Sequence, residues 1–464
     1  MTHSLSKHQT PRQTARPAAP AAPGEAGPPH PGLSLADVLA AFGQGDADSA
    51  PAWLQQRRQT ARARAARVGF PTAKDEEWRF TPIAPLLRLP LHPAQLPAQR
   101  LTAEEIAPFA FGLEGCRLVF VDGYFCAELS SLPAPGGDLQ AVSLRAALAG
   151  NAPELERHLG RVAGEEAMVF TALNTAFFRD GALLCAAPGK VIAQPVHLLF
   201  LATAGAAGAS AHVRNLIVAG ARSEMKVLET YASLSDAPHF TNTVTELVLG
   251  AEARVDHCKI QEENQAAFHL SAVHAQQERG SHWTSHSIST GARLARHQIQ
   301  TIFRGENAGC LLNGLYLVRG DQLADHHTVV DHAQPRCESH EFYHGVLDGR
   351  ARGVFNGKIL VRQDAQKTNA KQTNRNLLLS DEAVVHTKPQ LEIFADDVKC
   401  THGATVGQMD EEAVFYLRSR GIGLEHARRI LVRAFASDVV ERIPLETVRA
   451  RLNLMLTERF KDKP

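Results

Sequence analysis

The pattern of apolar and polar positions changes character several times along the chain. Residues 1–31 are dominated by Pro, Ala, Ser, Gln and charged residues without apolar periodicity. Such a stretch cannot bury enough surface to offset its ordering entropy, and a disordered tail is expected. Leu33–Gly43 and Ala52–Val68 have helical spacing, with Gly69 as a stop and Pro71 just beyond it. A helical and mixed region then extends to residue 189, with strand-like pieces such as Arg117–Val121 before the turn Asp122–Gly123.

After Pro195, β-branched runs are punctuated by Gly-Ala turns, and a shift of thirty residues lays one run over the next. Asn215–Met225 falls on Thr245–Val255, so that Gly220 meets Gly250, Ala221 meets Ala251 and Met225 meets Val255. The turns at Arg304-Gly305-Glu306, Asp348-Gly349-Arg350 and Ser380-Asp381-Glu382 recur without one fixed spacing. A unit this short, with alternating positions Ala221, Ser223, Met225 and Val227 turned inward, cannot close a core alone but can stack on copies of itself. The expected fold is mainly β: a right-handed parallel β-helix core over 190–407, preceded by the helical and mixed region over 32–189. A β-sandwich would alternate in the same way, but Asn-Gly hairpin connections are scarce between these runs.

Residues 408–464 form a small C-terminal helical domain in this reading. Asp410 offers an N-cap to a helix over Glu411–Arg420, with Gly421 as its stop. A second helix over Leu424–Val440 places Ala427, Ile430, Leu431, Ala434 and Phe435 on one face, and a third opens at Pro444 with Val448, Leu452 and Leu456. Such helices at the end of a solenoid serve either as its cap or as a docking site, and spacing alone leans toward the cap.

Composition narrows the function classes. Basic and acidic residues balance at 49 each, which leaves no global field for nucleic acid or an anionic membrane. The seven cysteines are scattered, without a Cys-x-x-Cys pair, as suits reduced thiols in a cytoplasmic protein. No run approaches the roughly 20 apolar residues needed to cross a bilayer, and the N-terminus lacks a signal-peptide core. No P-loop, Gly-x-Ser-x-Gly elbow or dinucleotide-binding Gly-x-Gly-x-x-Gly occurs. The adjacent Asp396 and Asp397 would face opposite sides of a strand, and no catalytic set emerges.

Two stretches could hold metal. On a strand, Cys400 and His402 project from one face about 6–7 Å apart, which makes half a thiolate–imidazole site; a buried Cys beside a hydrogen-bonded His is the plainer reading. The run Asp325–His340, followed by His344, offers His326, His327 and His332, but fits no zinc spacing, and polar ladders inside a solenoid are the leading reading of it.

The run Lys388–Gly407 followed by Phe415–Ile422 closely resembles the C-terminal signature of the SufD branch of the SufB/SufD family. Gly353–Gly357, Ala365–Thr368 and Asn376–Ser380 are similar to that family's late coils, and Glu77-Trp-Arg-Phe-Thr-Pro82 to its N-terminal motif. The resemblance runs from about Trp53 onward. Where SufB-like sequences carry a functional Cys after Pro-x-x-Glu, this chain has Ile393 after Pro389-Gln-Leu-Glu392, so the thiol of the other branch is absent there. The resemblance implies a non-enzymatic scaffold that pairs with SufB through the β-helix and docks the ATPase SufC through its C-terminal helices. It places iron acquisition and a nascent iron–sulfur cluster at the shared interface, with no cofactor held tightly by the isolated chain. It assigns His402 a functional role and leaves Cys400 open. The SufC contact would lie on Asp410–Val440, with Phe415, Leu417, Ile430, Leu431, Ala434 and Phe435 as candidates. A homodimer of the isolated chain remains open. The alternatives are a β-helix enzyme acting on polysaccharide and a stand-alone metal-binding protein using the His-rich stretch.

Overall fold

The computed structural model describes residues 32–43, 50–97, 100–163, 168–203 and 207–459. The tail over 1–31 lies outside them. Two ten-stranded sheets run the length of the molecule. Successive coils contribute one strand to each sheet, and every neighbouring pair from Ala182 to Gly407 is parallel, which is the stacking of a β-helix and excludes a sandwich of hairpins. Asn215 lies over Thr245 and Met225 over Val255, as the thirty-residue repeat predicts. Ala272 and Gln298 are only twenty-six apart and Asn356 and Lys388 thirty-two, so insertions in the turns hide the later repeat.

The Gly-Ala turns are one corner of the coil. At that corner Arg222, Glu252, Gly280, Asn307, Arg336 and Lys367 all take positive φ, between 57° and 67°. Side chains other than Gly are disfavoured there, but each corner amide donates to a carbonyl of the next coil, Arg222 N to Ala251 O and so on to Lys367 N to Asp397 O. The ladder thus continues through the bend and leaves no orphaned donor.

The parallel ladder reaches further back than residue 190. Ala182–Ala186 pairs with Ala209–Ala219, and Arg117–Val121 pairs with Val196–Ala202. At this end the chain turns back on itself: Tyr124–Ser131 and Leu139–Ser143 close the two sheets with antiparallel partners.

Most strands are buried on both faces because helices cover the outside. The helices Leu35–Phe42 and Ala52–Val68, with Val169–Phe177, bury Phe42, Ala61, Ala65 and Phe170 toward Phe240, Phe268 and Leu294 of one sheet. Ser34 caps the first with a reciprocal Asp37 bond. On the other sheet, Val432, Ala436, Val439 and Val440 of Leu424–Val440 pack on Ile260, Ile288 and Leu315. Asp410 caps Glu411–Ser419, and Val448, Leu452 and Leu456 are the buried positions of Glu446–Arg459.

Two expectations for these helices change. They lie along the flank of the solenoid, against the strands Gly309–Gly320 and Glu338–Gly349, and are not a cap on its end. The buried stripe of Leu424–Val440 is also rotated from the one predicted: Ile430 and Ala434 face solvent, and Leu431 is half-buried. The helix crosses the sheet, so its contacts follow Val432, Ala436 and Val439.

A strap formed by Glu76–Thr81 crosses four consecutive coils on the opposite flank. Trp78 lies under the Arg296 guanidinium at 4.0 Å, and Arg296 donates to the Glu77 carbonyl at 2.9 Å. The Glu77 carboxylate accepts from His327 at 2.9 Å and from Asn356 at 3.2 Å. Phe80 stacks on His386, and Glu76 pairs with Lys388.

Candidate functional site

The last coil is the exposed end of the stack. Its strands Val384–Ile393 and Lys399–Gly407 are half-buried or exposed nearly throughout, and each is hydrogen-bonded to a neighbour on one side only among the described residues. A bare row of backbone donors and acceptors is a template for another strand. The preceding strand Asn369–Leu378 fixes the register: Cys400 sits over Ala370, His402 over Gln372, Ala404 over Asn374 and Val406 over Asn376. Ala370, Gln372, Asn374 and Asn376 are buried, so Cys400 and His402 continue columns that point into the solenoid. Cys400 is half-buried beside Ala370, Val398 and Leu391, and burial raises its thiol pKa. His402 is exposed.

Beneath them the interior is polar. The His402 column descends through Gln372 to Glu341. Burial pushes the Glu341 carboxyl up to about 7, with the Thr328 hydroxyl, a 2.6 Å donor, pulling it the other way. A carboxylic acid protonated near neutrality can donate as well as accept. Further in, Lys259 donates to His269 Nε2 at 2.7 Å, and the Nδ1 side of that ring faces the Glu263 carboxylate at 2.7 Å. Burial lowers Lys259 to about 7. The sequence reading passed over Glu341, Lys259 and Glu263; the available signal was polar residues at inward positions of strands that otherwise alternate.

The other candidates disperse. His326 points inward between Tyr316 and Tyr343, and burial lowers it to about 4. His327, one residue on, points outward to Asp325 and Glu77 of the strap. His332 points inward and bonds Ser339 at 2.8 Å. The period of two turns His327 away from the other two, and His326 and His332 lie six residues apart along one strand, roughly 20 Å, so the three are not one metal site. Among the described residues no group of three or more His, Cys, Asp or Glu is arranged to hold a metal. Of the docking candidates, Phe415 is 73% exposed and Ile430 36%, Leu417 is half-buried, and Phe435 is taken up by the fold, stacked on His344 at 4.3 Å.

The domain family described as "SUF system FeS cluster assembly, SufBD core domain" matches residues 200–435, and "SufBD protein N-terminal region" matches 46–198. The chain belongs to the SufB/SufD family. It is 33% identical to the iron–sulfur cluster assembly protein SufD of Escherichia coli, over 85% of this chain and 90% of that one. It is also 33% identical to a SufBD family protein of Synechocystis, over 86% and 89%, and 28% identical to SufD of Bacillus subtilis, over 63% and 67%. These relatives mark it as a SufD-like member. The N-terminal SufBD region therefore spans Ala52–Val68, Val169–Phe177 and the strap, and the SufBD core spans most of the coils, Cys400, His402 and most of Leu424–Val440.

Proposed function

We propose that the chain is a non-catalytic, cytoplasmic scaffold subunit for iron–sulfur cluster assembly. It pairs through its last coil with a SufB-type partner and docks a SufC-type ATPase on its C-terminal helices. One observation carries this reading: the bare last coil presents His402 and Cys400 at an unpaired edge, where a second solenoid would complete both the strand ladder and the ligand set. Iron and sulfide are the cargo there. Thiolate and imidazole donors suit iron, and the raised Cys400 thiol makes the His402 imidazole the better ligand in the isolated chain. The exposed Phe415 and Ile430 have the chemistry of an aromatic and aliphatic anchor for a partner. ATP-driven movement of the docked subunit would pull on helices that pack directly on the coils and so reach the seam.

The test is reconstitution with the two partner proteins. His402→Ala leaves the complex intact and lowers cluster yield with iron and sulfide; an unchanged yield removes the ligand role. Phe415→Asp weakens capture of the ATPase and leaves the solenoid partner bound, and capture at the level of the unaltered chain counts against docking there.

A further inference from the structure

The interior of the first coils holds a cluster of ionisable side chains that neither the last coil nor the docking helices use. Glu229, His257, Lys259, Glu263 and His269 are all buried, and His239 is 7% exposed. His239 stands just before the strand Phe240–Leu249, at the end of the turn that follows Glu224–Ser233.

The hydrogen bonds fix where the protons are. Glu229 accepts from the Thr245 hydroxyl at 2.8 Å, the Tyr231 hydroxyl at 2.7 Å and His257 Nε2 at 3.1 Å. Glu263 accepts from the Thr241 hydroxyl at 2.5 Å and the Gln261 amide at 3.0 Å, and lies 2.7 Å from His269 Nδ1. Burial alone would raise both carboxyls, but the facing His257 holds Glu229 down at about 2, and His269 and His239 hold Glu263 well below its ordinary 4.5. Both are therefore carboxylates. Against their two charges Lys259 supplies one, and burial weakens even that by lowering it to about 7. The Lys259 ammonium donates to His269 Nε2, so the single proton of that ring sits on Nδ1 and the ring is neutral. His257 needs only the Nε2 proton, since its Nδ1 has no partner. One negative charge is left over, and an unmatched charge in a protein interior is costly.

His239 differs from the other two rings. Its Nδ1 faces the Ala237 carbonyl at 3.1 Å and its Nε2 faces Glu263 Oε1 at 3.4 Å. Both oxygens can only accept, so both nitrogens must carry protons, and the resulting imidazolium brings the cluster to neutrality. Burial disfavours that form, but Glu263, the Ala237 carbonyl and Asp122 outweigh it and raise the ring above its ordinary 6.5. Asp122, Tyr231 and Glu263 are the other ionisable groups on the small cavity of about 30 Å³ that His239 lines, and burial keeps the Tyr231 hydroxyl protonated. Ala204, Gly205 and Ala206, outside the described residues, follow Thr203 of the same wall and carry no ionisable side chain.

The same ring holds the turn. The Asn264 amide donates to the Ser235 and Ala237 carbonyls at 2.8 and 3.0 Å, and His239 adds the tie from Ala237 to Glu263. We propose that His239 is a pH-sensitive latch, whose imidazolium fastens the turn Ser235–Pro238 to Glu263 and balances the charge of the interior. Loss of one ring proton turns a donor into a lone pair facing a carboxylate and releases the turn. The contribution to stability is complete below the 6.5 of an unfolded histidine and is lost as pH rises through the higher folded value.

NMR of the full chain, read at the histidine ring nitrogens, tests the protonation. Near pH 6 both nitrogens of His239 should carry protons and His269 only Nδ1. Hydrogen exchange tests the release. The Gly208 and Phe268 amides donate to the Pro238 and His239 carbonyls at 2.9 Å. Corrected for intrinsic rate, they should open about tenfold more often near pH 9 than near pH 6, the effect of losing one charge-assisted hydrogen bond. His239→Gln should abolish that difference. A single ring proton on His239 near pH 6, or amide protection that does not change with pH, overturns the proposal, and both readouts use the unaltered chain. So does a pH dependence that persists in His239→Gln, which would assign the titration to Lys259.

Discussion

The two ends of the solenoid are built from the same strand spacing and solve opposite problems. One inward column runs from Phe120 through Phe200, Tyr231, Gln261, Ser289, Tyr316, Gly345 and Asn376 to Val406. At its start the rings stack, Phe120 on Phe200 at 4.8 Å and Phe200 on Tyr231 at 4.7 Å, and the chain folds back to pair with itself. At its finish Asn376 bonds to Tyr316 and Asn374, and Val406 is exposed. An end that meets its own backbone requirements is filled with apolar rings. The end whose last strands have no further neighbour among the described residues is polar inside and bare along its edge.

Three changes probe that contrast. Phe120→Ala removes a fully buried ring from the self-sealed end and should cost about 3–5 kcal/mol in urea unfolding. Glu341→Gln comes next. With the folded carboxyl at about 7 and the unfolded one near its ordinary 4.5, the native state holds a proton that the unfolded chain has released between those values. Wild-type stability therefore falls as pH rises through that window and levels off above it. The amide variant lacks this loss, so it should gain on wild type with rising pH, by up to roughly 3 kcal/mol near pH 8. Parallel pH profiles would place the titration elsewhere. The smallest effect belongs to Val406→Ala at the open end, below about 0.5 kcal/mol in the isolated chain. A cost approaching that of Phe120→Ala would mean that the end is already covered in solution by a second copy.

The β-helix was legible where coil length is constant. Gly220 and Gly250 mark the same corner, and the thirty-residue register between them is the one that forms. The helix Ala52–Val68 ends at its Gly69 stop, and Glu411–Ser419 begins at its Asp410 cap. The faces of the C-terminal helices were less legible, because spacing defines a stripe but not the neighbour it meets, and the sheet beneath selects Val432 and Ala436 over Ile430 and Ala434. The His-rich run makes no single cluster for a related reason: period two sends His326 and His327 to opposite sides of one strand. Contacts between coils were invisible. A Cβ on Gly314 would meet the Tyr343 ring at 2.1 Å and one on Gly345 the Tyr316 ring at 2.2 Å, so each glycine makes room for a tyrosine about thirty residues away. Cys400 and His402 were legible as a pair on one face, while the Glu341 column beneath them depends on a register that only stacking reveals.

The strap over Glu76–Thr81 has a consequence for assembly of the chain itself. Its partners Arg296, His327, Asn356 and Lys388 are added one turn of the spiral at a time, more than two hundred residues downstream. The segment leaves the ribosome early but finds its seat only when nearly all of the spiral exists, which makes its docking a late, long-range step in folding. Laid across four rungs like a vernier, it also registers their number and offset, and a rung lost or gained between Arg296 and Lys388 would leave its side chains facing the wrong residues.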